Sequence, residues 1–194
     1  MYEIPISIQS SDGKEYKIRN RGDYRTILDC FEALNDAELE SSERLIASLL
    51  IFYDDFNSIE DLYSVDNLQE LVSKMYNFFN CNQQTSGSES RYKLVDWEQD
   101  SQLICSAINK VAGFEIRAAD YIHWWTFMGY YTSIGESPIN TIIGIRDKIM
   151  QGKKLEKYEM EYRRNNPQFF NWRNKTVEQQ EAEEYVMKLW NSGG

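Results

Sequence analysis

The chain has 194 residues, a formal net charge of −10, and a composition that is 42% hydrophobic and 14% aromatic. This length and apolar content predict one globular domain, residues 1–194, with a substantial core. The acidic balance argues against non-specific binding to nucleic acid or to an anionic membrane. Three widely spaced cysteines (Cys30, Cys81 and Cys105) form no C-x-x-C pair, which predicts reduced thiols rather than a disulfide scaffold or a structural zinc site.

Residues 1–20 predict a β-hairpin. Apolar residues alternate on both sides of a Ser-Ser-Asp-Gly turn at residues 10–13: Ile4, Ile6 and Ile8 before it, Tyr16 and Ile18 after it. The same stretch has neither a long apolar run nor a basic leader. We therefore expect no signal peptide.

Between residues 23 and 79, helical spacing of apolar residues predicts three helices. Asp23 is a candidate N-cap for the first, whose apolar stripe runs to Leu34. The second runs from about residue 41 to residue 56, and the third starts near residue 66. Residues 81–92 are polar and rich in Asn, Gln, Ser and Thr, which predicts an exposed loop within the same domain.

The next helix is predicted to start at Asp96, an acidic cap followed three residues later by Gln99, and to end at Gly113. Residues 121–131 are then predicted to form a helix that is apolar on nearly every side, apart from a narrow stripe containing His123 and Thr126. Such a helix is predicted to be buried, with at least one of its two tryptophans inside the core. It is too short to cross a membrane, which takes about 20 apolar residues.

Ser137, followed by proline, is predicted to begin a further helix that ends at Gly152. Gly144 in its middle costs about 1 kcal/mol relative to alanine, which suggests close approach of a neighbouring backbone. A short helix must end before Pro167. Residues 176–190 are predicted to form a C-terminal amphipathic helix. The fold class is therefore mainly α: a multi-helix globular domain with an N-terminal β-hairpin, packed around a buried aromatic helix.

The sequence gives little support for catalysis. The single histidine, His123, rules out a histidine cluster for a metal, and its apolar setting favours a hydrogen-bonded structural role. Phosphate-binding glycine motifs are absent. The acidic pattern Asp96-x-Glu98-x-Asp100 lacks the glycine and distal glutamate of a calcium loop, so helix-start chemistry explains it better. We therefore expect no enzyme, with no catalytic, cofactor-binding or metal-binding residues and no cofactor.

Positive charge is concentrated in one stretch. Residues 146–175 contain nine Lys or Arg and four Asp or Glu, whereas the rest of the chain contains 12 and 27. Aromatic residues interleave this stretch. Three interpretations are open, and the one we prefer is a solvated helix face that pairs with acidic neighbours of the same chain. The second is a protein–protein surface, because Arg, Trp and Tyr are favoured there. The third is a nucleic-acid surface, although the rest of the chain repels phosphates.

Several short patterns in a fixed order carry a family resemblance. They are Asp23-Tyr24-Arg25, Asp96-Trp97-Glu98-x-Asp100, His123-Trp124-Trp125-x-Phe127, Ile143-x-Ile145-Arg146-x-Lys148-Ile149 and Gly152-Lys153-Lys154-Leu155. With these landmarks the chain resembles the bacteriophage gene-product-fifteen family of long-tailed phages and prophages of Gram-positive bacteria, over about residues 4–167. The final helix departs from the family pattern.

The resemblance implies a tail assembly chaperone that works in the host bacterial cytoplasm. Its implied partners are the phage tape-measure protein and, as a second candidate, the major tail protein. The net charge of −10 argues against a nucleic-acid or membrane partner, and a homo-oligomer is left open. The alternative is a minor structural protein retained in the virion tail.

The resemblance, together with the charge asymmetry, suggests where the partner binds. A tape measure that is helical needs its apolar stripes covered, and apolar and aromatic side chains next to arginines suit that contact. The predicted contact residues are Tyr158, Arg163, Arg164 and Trp172, with a second contact from Tyr185, Leu189 and Trp190 on the final helix.

Overall fold

The computed structural model describes residues 3–83 and 94–172. Within these ranges the chain is mainly helical, with an N-terminal hairpin, as predicted. It divides into two compact units: Met1–Ser86 with Glu115–Thr132, and Gly87–Phe114 with Ser133–Gly194. The single domain stays a prediction. The predicted final helix, and the predicted loop beyond residue 83, lie outside the described residues.

The first unit opens with the predicted hairpin. Strands β1 (Ser7–Gln9) and β2 (Glu15–Lys17) pair antiparallel. Gly13 closes the turn with a φ of +86°, a left-handed conformation that glycine adopts without steric cost. The apolar residues after the turn are buried, whereas Ile4 and Ile6 before it are 46% and 44% exposed. The alternation therefore marked the strands correctly, but only one strand contributes fully to the core.

The helices of the first unit follow the predicted order, with one addition. They are α1 (Tyr24–Asn35), α2 (Ser41–Phe52), α3 (Ile59–Tyr63), α4 (Leu68–Phe79) and, returning later in the chain, α6 (Trp124–Thr132). Asp23 caps α1 as predicted, because its Oδ1 accepts the Arg25 N–H at 3.0 Å. Helix α3 was not predicted, although Ser58 and Asp61 have the spacing of a capping box, which marks a helix start, and they form one in the structure.

Helix α2 ends four residues earlier than predicted. The chain leaves the helix at Tyr53, which forms an isolated β-bridge with Ile18 next to the hairpin. The Arg19 guanidinium donates to the carbonyl groups of Leu50, Tyr53 and Phe56 at 3.1–3.2 Å. The last carbonyl groups of a helix have no hydrogen-bond donor within the helix, and a cation at the C-terminus also interacts favourably with the helix dipole. This arginine therefore stabilises the end of α2 at Phe52.

The core of the first unit is aromatic, which confirms the prediction of a buried aromatic cluster around α6. Trp124 and Phe127 are each only 1% exposed, and Phe127 stacks on Tyr24 of α1 with ring centroids 4.6 Å apart. The Trp124 indole N–H donates to the Phe79 carbonyl at 2.9 Å. Burial is not uniform around α6. Trp124 and Phe127 are buried, whereas Thr126, on the predicted polar stripe, is exposed.

The second unit contains helices α5 (Ser101–Ala112), α7 (Pro138–Met150) and α8 (Lys157–Asn165), followed by a 3-10 turn at Pro167–Phe169. Its caps match the sequence: Ser137 accepts the Asn140 N–H, and Gly113 ends α5 with a φ of +80°. An apolar cluster joins the elements, and its buried members are Ile142, Ile145, Ile149, Leu155 and Phe170.

Two predictions for this unit are wrong. Helix α5 begins at Ser101, because Asp96 instead accepts the N–H groups of Glu98 and Gln99 and so closes a separate turn before the helix. Gly144 is exposed, and a Cβ added there would have no described atom within 4 Å. No neighbouring backbone in the described residues approaches Gly144, so close packing does not explain this glycine.

Candidate partner-binding surface

Helix α8 carries three of the predicted contact residues, Tyr158, Arg163 and Arg164, and contacts within the second unit hold it in place. Leu155, just before it, is 2% exposed within the apolar cluster. Glu159 is buried and accepts the Glu156 N–H at 2.8 Å, which closes the first turn of α8. The other oxygen of the same carboxylate accepts from the Lys148 ammonium at 2.6 Å, and this bond raises the pKa of Lys148. The helix is thereby tied to α7 by apolar and polar contacts.

The structure separates the predicted contact residues. Tyr158 is 65% exposed and Arg164 is exposed, whereas Arg163 is half-buried. Trp172 is only 8% exposed, and the Arg146 guanidinium lies 4.1 Å from the centre of its ring. We therefore leave Trp172 out of the contact surface. The remaining three, Tyr185, Leu189 and Trp190, lie outside the described residues.

A groove of about 830 Å³ runs beside α8 and the following turn. Its lining residues are Lys157, Met160, Glu161, Arg163, Arg164, Pro167, Phe170 and Asn171. We call it the α8 groove. It includes two of the predicted residues, Arg163 and Arg164. The sequence reading missed Lys157 and Met160, although Lys157, Met160 and Arg164 recur at helical spacing and so share one face.

Not all of the positive charge in residues 146–175 faces solvent. Arg146 is 2% exposed and forms a two-pronged salt bridge with the buried carboxylate of Asp100, at 2.6 and 2.9 Å. Its remaining donors bond to the carbonyl groups of Leu94 and Phe169. Lys148 is engaged by Glu159. For these two cations, pairing with acidic neighbours of the same chain is confirmed, while Lys157 and Arg164 remain exposed.

His123 has a structural position, as the sequence favoured. It precedes α6 rather than lying on it, and its Nδ1 accepts the Trp125 N–H at 3.1 Å. The neutral imidazole must then carry its proton on Nε2, which donates to the Pro5 carbonyl at 2.9 Å. Burial lowers the pKa of His123, outweighing the opposing effects of the Pro5 carbonyl and of Asp23. The ring is therefore a neutral link between the N-terminal segment and α6.

A buried thiol and two neighbouring carboxylates of the first unit also have structural partners. The Cys30 thiol is buried and points to the Ser48 carbonyl at 3.7 Å, and burial raises its pKa to about 12, so it is not a reactive thiolate. Asp54 pairs with Arg19, and Asp55 accepts the Lys17 N–H.

In residues 3–83 and 94–172, no three His, Cys, Asp or Glu side chains are grouped to hold a metal ion. None of the described helices is long and apolar enough to cross a membrane.

Gly22 is a glycine of the first unit at which an added side chain would meet close neighbours. Its φ is +74°, and a Cβ added there would lie 3.0 Å from both His123 Nε2 and Phe78 Cζ. Asn20 and Arg21 just before it also have positive φ angles, of 49° and 56°. The three residues form a tight left-handed turn that passes directly against the His123 ring.

Replacing Gly22 with alanine should lower the free energy of unfolding by about 2–3 kcal/mol, because backbone strain and overpacking add together. Gly13 is the matched control: its φ is +86°, but a Cβ there meets no described atom within 4 Å. Gly13→Ala should cost about 1 kcal/mol from strain alone. Urea unfolding of the two variants measures the difference, and equal losses would exclude a close contact at Gly22.

Comparison with known proteins identifies the family. A family model described as Bacteriophage Gp15 protein matches residues 3–169, which is most of the 194-residue chain. The chain therefore belongs to this bacteriophage family, as the sequence landmarks suggested. No curated protein matches the chain, and no solved structure does.

The structure explains why the sequence landmarks occur together. In the first unit, Asp23 and His123 form a β-bridge, so the Asp-Tyr-Arg and His-Trp-Trp landmarks meet. In the second, the salt bridge between Asp100 and Arg146 joins the acidic landmark to the one on α7. These four landmark residues therefore hold distant parts of each unit together.

Proposed function

We propose that this phage protein is a tail assembly chaperone, which binds the tape-measure protein in the host bacterial cytoplasm and keeps it soluble until the tail tube forms. Membership of the Bacteriophage Gp15 protein family supports the phage context. The major tail protein is a second candidate partner. One structural observation carries the proposal: α8 presents an exposed aromatic and basic surface next to a groove.

The composition of this surface suits transient binding of a helical partner. Tyr158 is 65% exposed and Met160 is 39% exposed, so both offer apolar area to a partner. Tyrosine, methionine and arginine are enriched at protein interfaces, and methionine adapts its shape to different partners. Burial of apolar area would supply most of the affinity, while Lys157 and Arg164 would mainly set orientation and encounter rate. A chaperone that is later displaced needs this combination rather than a large permanent interface.

We also propose that the protein is not an enzyme. Both ring nitrogens of His123 are engaged by the backbone, and the buried thiol of Cys30 has a raised pKa. General acid–base catalysis needs a group within reach of a substrate proton, and nucleophilic catalysis needs an activated nucleophile. Neither group meets these needs, which favours a binding function.

Co-expression tests the proposed function. Tape-measure protein produced alone should aggregate, whereas with this protein it should stay soluble and co-purify. The double variant Tyr158→Ala/Arg164→Ala should reduce the soluble fraction, because it removes exposed apolar area and charge from α8. Tyr63→Ala is the matched control, since Tyr63 on α3 is 72% exposed and lies on the other unit.

Mass spectrometry of purified virions separates the two candidate functions. A chaperone should be absent from mature particles or present in traces. Unchanged tape-measure solubility, together with stoichiometric protein in the virion, would instead establish the alternative, a minor structural protein of the tail.

A further inference from the structure

We propose that the α8 groove binds an acidic amphipathic helix of the partner, with carboxylates on its rim and an apolar row facing the groove. The inference rests on the proposed function for the identity of the partner, but its chemistry comes from the groove itself. It names the kind of segment that the tape-measure protein would present. Helix-in-groove binding of this kind uses apolar anchors on one helical face.

The lining of the groove combines a fixed apolar floor with an adaptable wall. Phe170 is 4% exposed and belongs to the apolar cluster of the second unit, so its position is set by the core. Pro167 begins the 3-10 turn and adds a rigid apolar surface. Met160 is 39% exposed and can change rotamer to suit the incoming side chain. A volume of about 830 Å³ accommodates several apolar side chains.

The charges of the groove select an acidic partner. Among the described residues, its lining includes the exposed cations Lys157 and Arg164, the half-buried Arg163 and a single carboxylate, Glu161. The chain as a whole carries a net charge of −10 and therefore repels acidic segments elsewhere. The same overall charge disfavours a nucleic-acid strand, whose binding depends on neutralising many phosphates. An acidic peptide segment with an apolar face fits both the charge and the apolar floor.

The spacing along α8 predicts the pattern in the partner. Lys157 and Arg164 are seven residues apart, which places them about 10 Å apart along the helix axis. Met160 and Glu161 lie between them on the same face. A partner helix packed along α8 would therefore carry carboxylates at positions i and i+7, with apolar side chains at i+3 and i+4. The carboxylate of Glu161 then faces apolar groups rather than another carboxylate.

Fluorescence anisotropy with the full-length protein tests this inference. The probe is a labelled synthetic helix of about five turns that carries glutamate at i and i+7 and leucine at i+3 and i+4. It should bind, and binding should weaken as salt is raised. Two control peptides, one with lysine in place of glutamate and one with serine in place of leucine, should bind at least about tenfold more weakly.

Protein variants locate the binding site. Lys157→Glu/Arg164→Glu should weaken binding of the acidic peptide by about tenfold or more and should favour the lysine peptide instead. Lys110→Glu is the charge control, because Lys110 is an exposed lysine of the same unit outside the groove lining, and it should have little effect. Circular dichroism confirms that each variant is folded. The inference would be overturned if the parent protein bound the acidic and lysine peptides equally well. It would also be overturned if the acidic peptide bound the groove variant as tightly as the parent.

The outcomes for the inference and for the proposed function are separate. If the groove variant still keeps the tape-measure protein soluble, the chaperone function stands and the groove is not its contact. If the acidic peptide binds the groove but co-expression leaves tape-measure solubility unchanged, the groove is confirmed and the chaperone function fails. A concentration-dependent dimer that disappears in the groove variant would show that a second copy, rather than an acidic helix, occupies the groove.

Discussion

Replacing Arg146 with alanine is expected to lower the free energy of unfolding by about 3–5 kcal/mol, because it leaves the carboxylate of Asp100 buried without its cation. The Asp100 side chain is 0% exposed and that of Arg146 is 2% exposed. Arg146 makes five hydrogen bonds, two to Asp100 and three to backbone carbonyl groups. Its removal therefore leaves the buried Asp100 carboxylate and two part-buried carbonyl groups without this donor.

Two further variants show whether the loss comes from an unpaired buried charge. Lys14→Ala removes a cation that is 63% exposed and lies 3.7 Å from Asp12, so it should cost less than about 1 kcal/mol. Arg146→Met combined with Asp100→Leu removes both charges and should recover part of the stability lost in Arg146→Ala. Urea unfolding measures all three. If the double variant is no more stable than Arg146→Ala, the loss comes from the carbonyl groups of Leu94 and Phe169, which both variants leave without Arg146, rather than from an unpaired charge.

Local chemistry was predictable from the sequence. Asp23 and Ser137 cap their helices through side-chain bonds to N–H groups two or three residues away, and Gly113 ends α5 in a left-handed conformation. Each of these signals lies within a single turn of chain, so no knowledge of distant partners was needed. The apolar stripes of α1, α4 and α7 were likewise readable from spacing alone.

Predictions that depended on distant partners were less successful. Asp96 had the spacing of a cap and accepts the Gln99 N–H, but this bond closes a separate turn and the helix starts only at Ser101. Asp100, just before the helix, is held by Arg146 across 46 residues, which no local pattern could show. The position of Arg146 did carry a signal. It lies four residues after Ile142 and three before Ile149, both buried, and so falls on the apolar face of α7.

The candidate surface was predictable only in part. The excess of positive charge marked residues 146–175, and two arginines of this stretch line the α8 groove. The count could not distinguish an exposed cation such as Lys157 from the buried Arg146, because composition carries no information about burial. For the same reason the count could not show that Trp172 is only 8% exposed, because aromatic residues suit a core as well as an interface.

Replacing Trp124 with alanine should also cost about 3–5 kcal/mol, as for other large buried aromatic residues. Trp124 is 1% exposed, its ring contacts Phe31 and Phe127 at centroid distances of 5.7 and 5.5 Å, and its N–H is bonded to the Phe79 carbonyl. Alanine would leave a cavity among these rings and an unsatisfied carbonyl.

The neighbouring tryptophan provides an internal comparison. Trp125 also donates its indole N–H, to the Phe78 carbonyl at 3.0 Å, but it is only half-buried. Trp125→Ala should therefore cost clearly less than Trp124→Ala, because less apolar area returns to water. Tyr63→Ala, at a residue that is 72% exposed, should change stability by less than about 0.5 kcal/mol. Equal losses for Trp124→Ala and Trp125→Ala in urea unfolding would show that the aromatic core is not centred on Trp124, because the half-buried ring would then contribute as much as the fully buried one.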